Sequence, residues 1–321
     1  MIVRHASLTP DIHDDPERGG RLETVYTSNA GGLTQFGAYV ETLHPGAGTS
    51  WRHWHEAEDE FLYVIDGEAT VIDNDGEHLL HAGDAAVWPF GVPNAHHVVN
   101  RSGRPSRHLI VGSRVRGDVC HYPDSGETLR NGDTSWEVTR ADGSRIRGGD
   151  LPAELLGLPA RWGSPQDPAA PRPSIIRRAD APLDRGSAEN IARFGPFAAR
   201  LYSDAGGLTQ FGAFTETLEP GARSGDRHWH EAEDEFLLML DGHATVIEDD
   251  GPHDLAPGDA ACWPAGVPTG HHVLNRTDRP CTYLIVGTRL PSDTVHYSDV
   301  DKLYRRVDGV VTRTRRDGST L

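Results

Sequence analysis

The stretch His53-Trp54-His55-Glu56-Ala57-Glu58-Asp59-Glu60-Phe61 recurs almost letter for letter as His228-Trp229-His230-Glu231-Ala232-Glu233-Asp234-Glu235-Phe236. Successive side chains of a strand point to opposite faces, so His53 and His55 project from one face and Trp54 from the other. Two imidazoles are thereby offered to one ion. The five-residue step from His55 to Glu60 has the wrong parity for an unbroken strand, and a bend or bulge is expected to return the carboxylate towards the imidazoles. The stretch reads as a metal site, present twice.

Working outward, the match continues without a gap from about Ser28–Ser144 onto Ser203–Ser319, a shift of 175, and about two-thirds of the positions between Ala30 and Tyr122 are identical. Farther upstream Ile2-Val3-Arg4 resembles Ile175-Ile176-Arg177 at a shift of 173, which puts a two-residue length difference in an intervening loop. A unit of this length is a whole domain and too long for a solenoid repeat. The first domain is expected over residues 1–148 and the second over 173–321. A Pro- and Ala-rich linker over 149–172, with one apolar piece from Leu151 to Leu156, is expected to run over the surface between them. The stretch from Pro10 to Gly32 begins acidic and reads as a solvated approach to the first strand.

Within each unit short apolar runs alternate with turn signals. Leu33 to Leu43 ends at His44-Pro45-Gly46, Phe61 to Ile65 ends at Asp66-Gly67, and Ala69 to Ile72 ends at Asp73-Asn74-Asp75-Gly76. Further strands are expected at Ala85 to Trp88, His96 to Asn100 and His108 to Gly112, and no segment has helical periodicity. Short, evenly spaced strands with 36 Gly and 22 Pro indicate an all-β chain built as an antiparallel sandwich or barrel. No apolar run approaches the roughly 20 residues that span a bilayer. The start, Met1-Ile2-Val3-Arg4-His5, lacks the layout of a secretory signal, so a cytoplasmic location is expected. A net charge of -17 argues against nucleic acid or an anionic membrane as partner. Cys120, Cys262 and Cys281 have Val295, Val87 and Ser106 as counterparts, so no cysteine is shared between the repeats and all three read as small buried hydrophobes.

These residues resemble the cupin superfamily. Its first motif is matched by Gly46, His53, His55, Glu60 and Gly67, with one extra residue after the first Gly, and again by Gly221, His228, His230, Glu235 and Gly242. Its second is matched by Gly83, Pro89, Gly91, His96 and Asn100, and by Gly258, Pro264, Gly266, His271 and Asn275, with a gap before the histidine two residues longer than usual. Nearly the whole chain is covered in two copies. The resemblance implies a bicupin: two tandem double-stranded β-helix (jelly-roll) barrels. His53, His55, Glu60 and His96 would then bind one ion, and His228, His230, Glu235 and His271 another. A second histidine follows directly, and parity with the Asn favours His96 and His271 over His97 and His272.

Three imidazoles and a carboxylate suit Fe, Mn, Zn, Ni or Cu and leave open positions for a small chelating substrate. The reading preferred on the sequence is an iron-dependent dioxygenase on a small polar molecule. The alternatives are a redox-neutral lyase, decarboxylase or isomerase using Zn, Mn or Ni, and a non-catalytic small-molecule or metal-binding module. The catalytic residues are not assigned, and a homodimer remains open. Trp54 and Trp229 are expected to pack between layers, Arg52 and Arg227 to form ion pairs, and Glu56, Glu58, Asp59, Glu231, Glu233 and Asp234 to hold the loop or face solvent, with acid–base work as the alternative. His121-Tyr122 and His296-Tyr297 read as strand-end packing. Trp51 becomes Asp226 and His108 becomes Tyr283, so the two pockets are expected to bind similar metals but differ in access.

Overall fold

The computed structural model describes residues 1–156, 158–167 and 170–321, without the side chains of Arg18 and Glu154. Each half is a barrel of antiparallel strands. In the first, a seven-stranded sheet runs in the order 175–176, 85–88, 60–66, 106–113, 36–43, 20–25, 11–15. Facing it are a three-stranded sheet (97–99, 68–73, 76–81) and a five-stranded one (145–150, 135–139, 127–131, 119–122, 54–55). The second half repeats this with sheets of seven, three and four strands. Among the described residues no helix is long and apolar enough to cross a membrane.

The strand Glu60–Asp66 shows why the sequence alternation is hidden and why the carboxylate points inward. Leu62 and Val64 enter the core of their own barrel, while Phe61 and Tyr63 enter a second core shared with Phe211, Phe236 and Leu238 of the other half. Both faces are apolar, so the run reads as continuous hydrophobe. Glu60 has the parity of Leu62 and so faces the barrel interior. The seven-stranded sheets lie back to back across this shared core, where Phe36 and Phe211 meet at 6.3 Å. The approach is close enough that a Cβ on Gly206 would lie 1.8 Å from Val87 Cγ2.

Two features depart from the sequence reading. Asp11–Asp15 and Gly20–Val25 form a hairpin that extends the first sheet, because Leu22 turns inward and is buried; polar residues on its outer strand hid it. The segment 149–172 is not wholly superficial: Trp162 is buried and its indole N–H donates to Gln210 O at 2.8 Å.

The halves also exchange strands. Ile2–Val3 pairs with Ala260–Ala261 of the second half, and Ile175–Ile176 pairs with Ala85–Ala86 of the first. Each is fastened by a carboxylate. Asp84 accepts from the Arg178 N–H at 2.9 Å and the Arg177 guanidinium at 3.0 Å, and Asp259 from the His5 N–H at 3.0 Å and Arg4 at 2.9 Å. Burial alone would raise both carboxyls, yet these donors hold both below their ordinary value. A depressed carboxyl contributes stability above its unfolded value, about 3.9, and loses it as pH falls through the folded value. Hydrogen-exchange protection of Ile2–Val3 and Ile175–Ile176 is therefore expected to hold at about pH 5 and to decline below about pH 4. Unchanged protection down to the pH of global unfolding would show that these carboxylates do not fasten the strands.

Candidate metal centres

His53 and His96 face each other across an antiparallel bridge, with N–H to O distances of 3.1 and 2.9 Å. His55 follows on the strand Trp54–His55, residues 56–59 leave the strand, and the next one begins at Glu60. That departure supplies the bend that parity requires. Glu60 Oε2 consequently lies 3.7, 3.8 and 2.9 Å from the Nε2 atoms of His53, His55 and His96. In the second half Glu235 Oε2 lies 3.8, 3.6 and 2.9 Å from those of His228, His230 and His271. All eight residues singled out on the sequence are thus brought together in two sets of four. His97 lies against the Ser50 carbonyl at 3.3 Å instead.

The other ring nitrogens decide what these sets can hold. Nδ1 of His53, His96, His228 and His271 faces the carbonyls of Trp51, Asn94, Asp226 and Thr269 at 2.9 to 3.1 Å. A carbonyl only accepts, so each Nδ1 carries the proton and each Nε2 presents a lone pair to the centre. Burial draws His96 down and His228 to about 4, which keeps these rings neutral near neutral pH. At 2.9 Å, His96 Nε2 and Glu60 Oε2 are then two acceptors aimed at each other, and among the described residues Glu60 Oε2 is buried without a hydrogen-bond partner. A cation resolves that conflict, and three imidazoles with one carboxylate are the donors a borderline divalent ion takes.

His55 and His230 are held differently. Their Nδ1 atoms contact Asp118 and Asp293 at 2.6 and 2.7 Å, and the same carboxylates accept from the Ala57 and Ala232 N–H groups at 2.9 Å. The sequence reading missed both aspartates. They lie more than sixty residues beyond the ligands, outside any recognisable motif, and only their matched place in the repeat marks them. Asparagine at Asp118 is expected to weaken metal at the first centre by about 10–100-fold, as for other carboxylate–imidazole pairs. Chelator competition would read this, and an unchanged affinity would reduce Asp118 to a fold residue. Trp88 and Trp263, also unnoticed, stack on His96 and His271 with centroids 3.6 and 3.8 Å apart.

The acidic loop separates by task. Glu56 and Glu231 meet His121 and His296 at 2.7 Å, and those rings stack on Trp54 and Trp229. Arg52 pairs with Asp124, and Arg227 with Asp249 and Asp299. Glu58 accepts from the Val115 N–H at 3.0 Å, and Glu233 from that of Leu290 and from Arg306. Asp59 and Asp234 are neither solvated nor at the metal. Asp59 is fully buried and accepts from the N–H groups of Phe90, Thr209 and Gln210, each at 2.8 Å; Asp234 does the same for Thr34, Gln35 and Ala265. Each reaches into the opposite half.

The first centre borders two cavities of about 280 and 350 Å³; Tyr39 and Glu60 line both, while Glu58, Cys120 and Tyr122 line the second. Cys120 is buried as expected, but it also stands opposite His55 in the sheet, within 4.8 Å of the His53 and His55 ring nitrogens as a possible third donor. Its counterpart Val295 offers no such atom.

A family model described as Cupin domain matches residues 39–112 and 214–287. Protein SchB of Streptomyces halstedii is 28% identical over 116 residues, which is 36% of this chain and 79% of that protein. A solved sugar phosphate isomerase of the cupin superfamily from Silicibacter pomeroyi is 41% identical, covering 44% of this chain and 93% of its own, with a TM-score of 0.42. Bacillus subtilis oxalate decarboxylase, studied for its Mn(II) centres, is 18% identical, covers 93% of this chain and 79% of its own, and has a TM-score of 0.55. The last similarity spans both halves and concerns the fold.

Proposed function

We propose that this chain, which belongs to the cupin superfamily as a two-domain bicupin, is a metal-dependent enzyme that cleaves or rearranges a small chelating molecule without net oxidation, as a lyase, decarboxylase or isomerase. The observation that carries this reading is the four-donor set in each half, with every carbonyl-bound imidazole fixed to present Nε2. Four donors would leave two positions on a six-coordinate ion for a bidentate substrate. Two open positions would admit either a bidentate substrate or one substrate atom beside dioxygen, so the preference comes from the likenesses. A sugar phosphate isomerase at 41% identity and an oxalate decarboxylase studied for its Mn(II) centres favour redox-neutral chemistry over the iron-dependent dioxygenase preferred on the sequence, with Mn, Zn or Ni in place of Fe. When bound, such an ion supplies Lewis-acid polarisation of a substrate oxygen.

The residues around the first centre can hold and move a proton, which redox-neutral chemistry needs. Burial pushes the Glu58 carboxyl up to about 8, so it carries a proton near neutral pH, and its Oε2 lies 4.0 Å from His55 Nδ1 at the wall of the cavity that Glu60 also lines. Tyr122, 5.9 Å from His53 between ring centroids, closes another side.

The test is turnover of small hydroxy acids, dicarboxylates and sugar phosphates by Mn-loaded protein, followed by NMR in air and under argon with an oxygen electrode alongside. Equal rates and no oxygen uptake are expected. Oxygen consumed in step with product would overturn the redox-neutral assignment.

A further inference from the structure

The mouths of the two centres carry different charge. In the second, Asp226 lies two residues before His228 and is buried against Arg193 at 2.7 Å, with Arg223 at 3.8 Å. Both guanidiniums lie over the Phe194 ring, at 5.0 and 5.3 Å from its centroid. Beside them Tyr297 sits 6.0 Å from the His228 ring, and Lys302 Nζ lies 3.7 Å from the Tyr297 centroid. Arg313 lies over Tyr304, 5.3 Å from its centroid, on the neighbouring strand. Arg193, Arg313 and Asp226 all act electrostatically on Lys302. Arg193, Arg223, Lys302 and Arg313 thus gather around Asp226, with Asp299 also acting on Arg223, in a chain whose net charge is -17.

The first half keeps the aromatic ring and loses three of these four cations. Tyr122 stands for Tyr297, whereas Arg223, Lys302, Tyr304 and Arg313 become Gly48, Glu127, Leu129 and Val138. These changes leave a groove of about 660 Å³ bordered by Trp51, Tyr122, Leu129 and Val138, whose charged lining mixes Glu17 and Glu127 with Arg52 and Arg147. The helix Ala188–Phe194 that presents Arg193 has only a three-residue turn, Pro16–Arg18, in the corresponding region.

We propose that the second centre takes a small dianion, a dicarboxylate or a phosphate ester, recognised at its mouth by Lys302, Arg313, Arg223 and Arg193, and that the first centre, without most of these cations, holds it far more weakly. This rests on the reading of His228 and its partners as a working metal site. Lys302 and Arg313 lie on aromatic faces, not on carboxylates, which leaves their charge directed at an incoming anion one ring away from His228. Guanidinium forks match carboxylate and phosphate oxygens, and a cluster of positive charge on an acidic protein concentrates anions locally.

Lys302 is the only lysine of the chain, which makes it a chemical reporter. Metal-loaded protein is acylated with an amine-selective reagent, with malonate or inorganic phosphate as probes, and Lys302 modification is read by mass spectrometry. Calorimetry with the same probes is run on the wild type and on Lys302→Glu and Arg313→Val, which install the first half's own residues. Protection of Lys302, one tight anion site per chain and a loss of about tenfold or more at that site in each variant are expected. Protection by one probe alone identifies the class. Lys302 modified equally at saturating probe, or unchanged affinity in variants that keep their metal content, would overturn the proposal. If metal analysis finds no ion at His228, the metal reading fails on its own, and the same protection measured on metal-free protein still decides whether the mouth binds anions.

Discussion

Alanine at Asp59 is expected to destabilise the folded chain by about 3–5 kcal/mol, because it leaves three buried N–H groups without an acceptor. Two of the three belong to Thr209 and Gln210 of the other half, and the third to Phe90, which precedes Gly91 in the second motif. Gln210 completes the clasp: its Oε1 accepts from the Asp59 N–H at 2.8 Å, and its Nε2 donates to Ala57 O at 2.8 Å and Trp162 O at 3.0 Å. Asp234 and Gln35 build the mirror image. Urea unfolding of Asp59→Ala, Asp234→Ala and the double variant measures the effect. Both clasps hold the same interface, so loosening one weakens what the other secures, and the double change is expected to cost less than the sum. A loss below about 1 kcal/mol in either single variant would contradict the role given to the clasp.

Alanine at His53 or at His228 is expected to take metal content from two ions per chain to one, and both together to leave none. Each variant should also forfeit half of the stabilisation that metal provides, which is about 2.7 kcal/mol per site at one hundred times the dissociation constant. Elemental analysis after gel filtration, with thermal unfolding in the presence and absence of a chelator, reads both effects. Two ions retained in either single variant would mean that the ions sit elsewhere. The two centres share no ligand, and the back-to-back sheets separate them, so each loss should leave the other site's affinity unchanged.

Much of this was legible in the residues themselves. The repeat declared two domains, and the parity of His53, His55 and Glu60 anticipated both the shared face and the bend at 56–59. What escaped has a common physical origin. A strand of two residues, such as Ile2–Val3, is too short to have a period, so its pairing with the opposite half leaves no pattern. Asp59 and Asp234 look like solvated loop acids because what buries them comes from about 150 to 200 residues away. Asp118 and Asp293 touch the ligands through a strand pairing that no local spacing encodes. The contrast between Lys302 and Glu127 was present in the alignment of the halves, but only Tyr297, lying between Lys302 and His228, gives it a location.

The reciprocal clasp and the exchanged strands make the chain a covalent version of a twofold pair. In a pair of identical subunits every substitution is made twice, so a residue that improves one mouth is imposed on the other. Here the two halves are encoded separately. The back-to-back surface has kept its symmetry, since Asp59 and Asp234 still do the same work, while Gly48 and Arg223, or Glu127 and Lys302, have been free to diverge. Fusion thus relaxes the mouths from the constraint that still binds the interface, and one polypeptide can offer two chemically distinct doors on a single shared frame.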